Sequence, residues 1–320
     1  MKKSRTSDHM FILRTLIDKT KMIGRSKLFC CFVDFRKAFD TVIHPALFLK
    51  LTDLGVNGLF YKTLKNMYDN SVLNITIENT LSPEFISNIG VRQGDTLSPT
   101  FLKPLLTICL KFLMIPDPAT LSDINLNSLM FADDAVLLST SEKGLQNCLH
   151  KLEKYCDNWC LYINVEKTKV LIFNKNGKLY KTPFLFQNKI IDCVQSYRYL
   201  GIIFTTYGTF TPAKNDLYQR ALKGLFKFRK SFSDISPNIK TCLHIFDHTL
   251  KPILLYGSEI WGAHTLPNSN KDFKLETTME EFPCEKLNIK FSKFILGVHK
   301  KSSNFAVLGE LGRYIRGLPN

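Results

Sequence analysis

An uninterrupted apolar run from Leu28 to Val33 stops at Asp34. A short run with no polar residue inside it is typical of a strand buried on both faces. The sequence therefore predicts a central strand that carries a carboxylate at its end.

Strands and helices alternate along the next part of the chain. Pro45 and Gly55 stand where a first helical residue and a helix terminator are favoured, so we expect a helix between them. The other predicted elements are a helix over 59–68, a hairpin with arms 72–78 and 84–89, a helix over 142–160, and strands over 169–173 and 199–204. This alternation favours an α/β or α+β domain over a bundle or sandwich.

A second acidic feature lies between two apolar arms, 129–132 and 135–138. Asp133 and Asp134 separate the arms, and Asp tolerates reversals of the chain. We expect both carboxylates at the tip of a hairpin. An acidic pair at a turn is also common for purely structural reasons, and taken alone it favours that interpretation.

The charge balance favours a polyanionic partner. There are 43 Lys and Arg against 28 Asp and Glu, a net charge of +15 and a pI near 9.3. Arg220, Lys223, Lys227 and Lys230 recur at steps of three and four, which places them on one helix face suited to a phosphate backbone. The alternative is an ordinary solvated face.

Composition excludes several classes of protein. A hydrophobic share of 45% argues against a disordered chain, and no stretch approaches the roughly 20 apolar residues of a membrane span. We predict no membrane association and no signal peptide. The nine cysteines lack the paired short spacings of zinc sites, so we expect ordinary thiols in a reducing compartment.

Five motifs occur in a fixed order. They are Val33–Asp40 (VDFRKAFD), Arg92–Pro99 (RQGDTLSP), Phe131–Asp134 (FADD), Asn164 with Lys167–Lys169, and Tyr199–Gly201 (YLG). Together they resemble the reverse transcriptases of non-LTR (LINE-type) retrotransposons. The resemblance covers most of the chain.

The resemblance implies an α+β fold: a polymerase palm with an antiparallel sheet backed by helices, partial fingers, and a helical thumb-like region. It divides the chain into fingers and palm over 1–205, the thumb-like region over 206–263, and a linker with a C-terminal helical segment over 264–320. Arg5 to Asp8 resemble the end of a fingers motif, so we expect part of the triphosphate-binding surface to precede residue 1.

The catalytic set implied by the resemblance is Asp34, Asp133, Asp134 and Lys167. Asp34 and Asp133 would bridge two Mg²⁺ ions, with Mn²⁺ as an alternative, while the Phe35 carbonyl adds a ligand and Asp134 supports them. Crowded carboxylates resist joint ionisation unless cations compensate. Lys167 matches the lysine that would protonate pyrophosphate, and the nearby Lys169 is the competing assignment.

Nucleotide contacts are implied for Phe39, Arg92, Gln93 and Gly94. Phe39 would collide with a ribose 2′-hydroxyl and so select dNTPs; its structural alternative is an ordinary core aromatic. For the Gln93–Gly94 loop the alternative is a turn, with Ser98 as N-cap and Pro99 as first helical residue. Primer and template contacts are implied for Tyr199, Leu200 and Gly201 and for the four cations from 220 to 230.

The expected function is RNA-directed DNA synthesis on an RNA template and DNA primer, in the nucleus. Three departures from the family's pattern oppose it, and the first is the expected incompleteness of the fingers. The family's helix after Pro99 is not matched here, since Pro104 would break it, and the family's endonuclease has no counterpart. A nucleic-acid binder without catalysis, or a remnant that does not fold stably, are therefore the alternatives.

Overall fold

The computed structural model describes residues 5–24, 26–37, 39–91, 117–232, 237–262 and 283–313. Arg92, Gln93, Gly94, the Pro104 position and the polar stretch 267–280 lie outside the described residues. The chain divides into two compact units: the first comprises 1–200 with 205–208, and the second 201–204 with 209–320. The three-part division into fingers and palm, thumb-like region and C-terminal segment stays a prediction.

The centre of the first unit is a four-stranded antiparallel sheet. Its strands, in spatial order, are β10 (Lys169–Phe173), β1 (Leu28–Asp34), β9 (Asp134–Ser139) and β8 (Ser128–Phe131). The predicted strand is present, and it is flanked by β10 on one side and β9 on the other. All of its residues are buried except Asp34, which is half-buried, because apolar side chains cover both faces of the sheet up to this edge.

Helices cover the sheet. They are α1 (Thr6–Met22), α2 (His44–Asp53), α3 (Gly58–Asp69) and α4 (Glu142–Trp159). In α4 the Ser141 side chain accepts a hydrogen bond from the Gly144 N–H, which satisfies a free donor of the first turn. The apolar stripe of α4, including Leu145 and Leu152, enters the same core as Phe29 and Val33 of β1. The α+β class is confirmed.

The remaining strands in the described ranges are short. They are β2 (Val72–Leu73), β3 (Thr76–Ile77), β4 (Thr80–Leu81), β5 (Phe85–Ile86), β6 (Ala119–Leu121), β7 (Ile124–Leu126), β11 (Phe184–Phe186), β12 (Lys189–Ile191), β13 (Ser196–Tyr199) and β14 (Ile202–Thr205). The predicted hairpin over 72–89 turns earlier than expected, at Glu78 and Asn79, which both have positive φ. The prediction of one strand over 199–204 was wrong, because Leu200 and Gly201 adopt φ of 46° and 85° and interrupt it.

The second unit is built mainly of helices. They are α5 (Thr211–Ser231), α6 (Ile239–Ile245) running into a π-helical turn (Phe246–Leu250), α7 (Lys251–Leu254), α8 (Ser258–Trp261), α9 (Pro283–Ile295) and α10 (Asn304–Glu310). Ala221, Leu225 and Phe228 of α5 share a core with Leu287 and Phe291 of α9. In the described ranges, no helix is both long and apolar enough to cross a bilayer.

Candidate active site

Asp34 and Asp134 are directly opposed across two neighbouring strands. The register of β1 and β9 pairs Val33 with Ala135 and Asp34 with Asp134. Residues directly opposite in an antiparallel pair have Cα atoms about 4.5–5.5 Å apart and side chains on one face. Two residues that are 100 positions apart in the chain therefore place their carboxylates side by side at the end of the sheet.

Asp133 lies in the turn that joins β8 to β9. The sequence placed both acids at the tip, whereas the two-residue turn consists of Ala132 and Asp133, and Asp134 is already the first residue of β9. Phe131 pairs with Asp134 across the turn. Ala132 adopts a φ of 54°, a conformation that L residues rarely take. Asp134 is therefore fixed by strand pairing, whereas Asp133 is fixed by the turn.

The other two carboxylates influence the charge of Asp134. Partial desolvation raises the pKa of Asp134, and the negative charges of Asp133 and Asp34 raise it further. Nearby anions disfavour joint ionisation, and a cation between them would relieve the repulsion. This is the electrostatic behaviour expected of an oxygen-ligand site for a divalent ion.

Tyr197 faces the same carboxylates and was missed at the sequence level. Its ring stacks on Phe32 with centroids 4.3 Å apart. Burial raises the pKa of Tyr197 to about 12, with added contributions from Asp134 and Asp34. The signal in the sequence is alternation: in β13, Tyr197 and the predicted site residue Tyr199 are two residues apart and lie on one face. Tyr199 is buried, and burial together with Asp134 raises its pKa as well.

The backbone around Asp34 is held by the segment 162–168. The Asp34 N–H donates to the Thr168 hydroxyl at 3.1 Å, and the Asp34 carbonyl accepts from the Asn164 N–H at 2.8 Å. The Arg36 N–H donates to the Tyr162 carbonyl at 2.7 Å. These bonds flank Phe35, whose carbonyl takes part in none of them. Thr168, which is buried, is thus a positioning residue for Asp34.

The structure distinguishes the two candidate lysines. Lys169 is in strand β10, and its ammonium group is ion-paired with Asp192 at 2.6 Å. Lys167 is exposed on the turn closed by Asn164. Asn164 and Arg36 also line an open groove of about 590 Å³. The ion pair with Asp192 therefore distinguishes Lys169 from Lys167.

Phe39 lies beside the segment 90–91. Its side chain is partly buried against the main core, and its carbonyl accepts a hydrogen bond from the Val91 N–H at 2.7 Å. Gly90, with φ of 89°, fits so closely that an added Cβ would lie 3.2 Å from the Asp40 carbonyl oxygen. His44 binds the Gly90 carbonyl through Nε2 at 2.8 Å. His44 directly precedes Pro45, the expected first residue of the helix, and nothing in the local sequence marks it as an anchor.

A reverse transcriptase (RNA-dependent DNA polymerase) family model matches residues 3–204, which include the sheet, the acidic hairpin and their supporting segment. The chain belongs to the reverse transcriptase family. The match reaches through β13 and the interrupted Tyr199–Gly201 segment. It confirms the resemblance drawn from the five motifs.

The related curated proteins are polymerases of non-LTR mobile elements. A probable RNA-directed DNA polymerase from transposon BS of Drosophila melanogaster is 28% identical over 75% of this chain and 27% of its own length. The polymerase from mobile element jockey of the same fly is 27% identical over 82% and 28%. A Pol polyprotein of the R2 element of Popillia japonica is 27% identical over 80% and 41%. This reverse transcriptase chain thus spans well under half the length of each.

Solved structures with a similar fold include telomerase from Candida tropicalis in complex with a fragment of telomeric RNA. It has a TM-score of 0.46 and 14% identity, over 96% of this chain and 52% of that one. The RNA-dependent RNA polymerase of a human picorbirnavirus has a TM-score of 0.41 and 14% identity, over 98% and 51%. At these scores the likeness bears on neither ligand nor activity.

The acidic site of this reverse transcriptase chain fits a divalent cation with open coordination. Across the residues that the structure describes, no three His, Cys, Asp or Glu side chains form a ready metal cluster. Mg²⁺ commonly binds to one or two carboxylates and completes its shell with water and substrate phosphates. The paired Asp34 and Asp134 with the adjacent Asp133 are a donor set of that kind.

The predicted cations of the second unit differ among themselves. Lys223, Lys227 and Lys230 are exposed on α5, as the helical spacing requires. Arg220 instead pairs with Asp216 at 2.6 Å and donates to the Gly201 carbonyl at 2.9 Å. Arg220 therefore supports the Gly201 backbone in addition to any contact with phosphate.

Proposed function

We propose that this chain catalyses RNA-directed DNA synthesis, adding dNTPs to the 3′ hydroxyl of a DNA primer on an RNA template. The observation that carries the proposal is the pairing of Asp34 with Asp134, which puts two carboxylates beside Asp133 at one edge of the sheet. Membership of the reverse transcriptase family supports it. The reaction is an in-line phosphoryl transfer, which depends on positioning and charge stabilisation.

Asp34 and Asp133 would hold the metal ions, with the Phe35 carbonyl as a further oxygen and Asp134 in support. A pair of Mg²⁺ ions, or Mn²⁺ in their place, would lower the pKa of the primer hydroxyl and stabilise the charge on departing pyrophosphate. The protein's own contribution is rigidity. Ladder pairing and the Thr168 hydroxyl hold the Asp34 backbone in place before substrate arrives.

Substrate contacts follow from the residues around this edge. We assign the sugar side of the dNTP to Phe39 and the nucleotide to Arg92, Gln93 and Gly94. Lys167 would deliver a proton to the leaving pyrophosphate, a step that requires a positioned acid. Tyr199, Leu200 and Gly201 would contact the primer end, and the α5 cations the backbone of the duplex. We assign residues 1–205 to fingers and palm and 206–263 to a thumb-like region.

The test is primer extension by the purified 320-residue chain on an RNA template with Mg²⁺. Asp34→Asn and Asp133→Asn should each abolish extension. Asp123→Asn is the matched control, since Asp123 is an exposed turn residue of the same unit and should extend like the parent. Salt-sensitive binding of template–primer without any incorporation by the parent chain would favour the noncatalytic binder instead.

We also propose nuclear residence, which is the expectation that follows from the resemblance to non-LTR retrotransposon reverse transcriptases. Imaging of a fluorescently tagged chain tests this. Exclusion of the chain from the nucleus would contradict the proposal.

A further inference from the structure

Helices α5 and α9 of the second unit share a buried core and a solvent-facing side. Leu225 and Phe228 point into the core, where the Phe228 ring meets Phe291 of α9 at 5.7 Å between centroids. The intervening Phe226 is 54% exposed, and Phe294 of α9 is 41% exposed. Two large aromatic rings therefore lie in contact with water on adjoining helices.

Each exposed ring has a cation from the opposite helix over it. The Arg229 guanidinium lies over Phe294 with its Cζ 4.3 Å from the ring centroid. The Lys290 ammonium lies 5.7 Å from the centroid of Phe226. These distances fall within the range of cation–π attraction. One cation belongs to α5 and the other to α9, so the two pairs link the helices in both directions. Phe226, Arg229, Lys290 and Phe294 together form the α5–α9 surface.

The surroundings of this surface are strongly basic. Lys223 and Lys227 of α5 and Lys286 of α9 are exposed. The Arg229 Nε is buried and has no hydrogen-bond partner among the described residues, and the guanidinium lies over the Phe294 ring. Its remaining N–H donors suit phosphate oxygens.

We propose that this α5–α9 surface binds single-stranded nucleic acid, with Phe226 and Phe294 stacking on unpaired bases while Arg229, Lys290 and Lys227 contact phosphates. Duplexes hide their bases, whereas an unpaired strand presents them to aromatic side chains. Phe226 and Arg229 are three residues apart, as are Lys227 and Lys230, so the members of each pair lie about one helical turn apart on α5. The inference rests on the proposed function, because the bound single strand would be one that the polymerase uses.

The test is fluorescence anisotropy of labelled r(U)12 and d(T)12 with the full chain, in EDTA and without dNTPs. Because no catalysis occurs in this assay, loss of extension and loss of binding are separate results. Phe226→Ala and Phe294→Ala should each weaken binding about 5-fold or more, the cost of losing one stacked base. A blunt duplex of the same length should bind alike to parent and variants. The two oligonucleotides distinguish RNA from DNA as the bound strand.

Matched controls keep the outcome specific. Phe305→Ala removes an exposed phenylalanine of α10 in the same unit, and Lys240→Ala removes an exposed lysine of α6; neither should lower affinity. Phe226→Tyr and Phe294→Trp retain an aromatic face and should restore binding. The proposal would be overturned if both alanine variants bind the single strands as tightly as the parent and melt at the same temperature. It would also be overturned if each alanine variant loses as much affinity for the duplex as for the single strands.

Discussion

The acidic site of the first unit and the basic surface of the second are built by different rules. Asp34 and Asp134 meet because two strands pair in one register, and a shift by one residue would turn every side chain to the opposite face. The α5 cations lie together because they follow helical spacing, which requires no distant partner. We therefore expect the acidic site to be intolerant of small displacements of its carboxylates. The basic surface should tolerate replacement of one cationic residue by another.

Among substitutions that keep the charge, the largest effect is expected from Asp34→Glu. The added methylene keeps the charge but displaces the carboxylate by about 1 Å or more, which can cost roughly 100-fold in rate. Steady-state primer extension measures it. Lys227→Arg is the corresponding change in the second unit and should keep binding within about 2-fold. A fold-loss of binding by Lys227→Arg as large as the fold-loss of extension by Asp34→Glu would refute the contrast between the two sites.

Thr168→Val tests the support of the Asp34 backbone. The substitution keeps the shape of the side chain but removes the acceptor of the Asp34 N–H, and an unsatisfied buried donor costs about 1–3 kcal/mol. Chemical denaturation should show that loss, and kcat should fall more than KM rises. Thr168→Ser retains the hydroxyl and should recover kcat. If Ser and Val variants extend primers equally, the hydroxyl does not position Asp34.

Gly90→Ala tests the anchoring of the segment beside Phe39. Both the positive φ and the 3.2 Å approach to the Asp40 carbonyl oppose a Cβ, so we expect a destabilisation of about 1–2 kcal/mol. Gly55→Ala is the control, because Gly55 has a similar φ of 86° but open space around it. Thermal melting should show the larger loss for Gly90→Ala. Equal losses would mean that only backbone strain matters.

Single lysine removals in the second unit should have modest effects. Lys223→Ala and Lys227→Ala should each weaken template–primer binding a few-fold and reduce the slope of log affinity against log salt by roughly 0.7–0.9, one counterion each. Titrations at several salt concentrations provide the slope. An unchanged slope would show that the lysine contacts no phosphate.

The smallest expected effect concerns pH and Asp134. Its folded-state pKa is raised above the ordinary value of 3.8, so the protonated form is favoured in the fold. The resulting contribution to stability is complete below that ordinary value and is lost as pH rises through the raised pKa. At neutral pH, Asp134→Asn should therefore stabilise the metal-free chain by about 0.5 kcal/mol or less, given solvent screening. Thermal melts of parent and variant at pH 3.5 and 7.5 check this, and a melting temperature of the variant below that of the parent at pH 7.5 would contradict it.

The sequence predicted the elements whose signals are local. The β1 strand, the helix over 59–68 and the amphipathic α4 follow from apolar runs and periodicity, and all are present. The errors occur at turns. The acidic hairpin turns at Ala132 and Asp133, and the strand over 199–204 is interrupted, because both require positive φ at non-glycine residues, which local preference disfavours.

By itself the sequence determined which residues carry charge, which stretches are apolar, and which cations share a helix face, since these depend on neighbours within a turn or a strand. Only the tertiary structure decided that Asp34 opposes Asp134, that Thr168 accepts from the Asp34 backbone, and that Arg229 covers Phe294. The physical reason is that strand register and side-chain packing are chosen by the whole core at once. No local pattern specifies which distant group will complete a given contact.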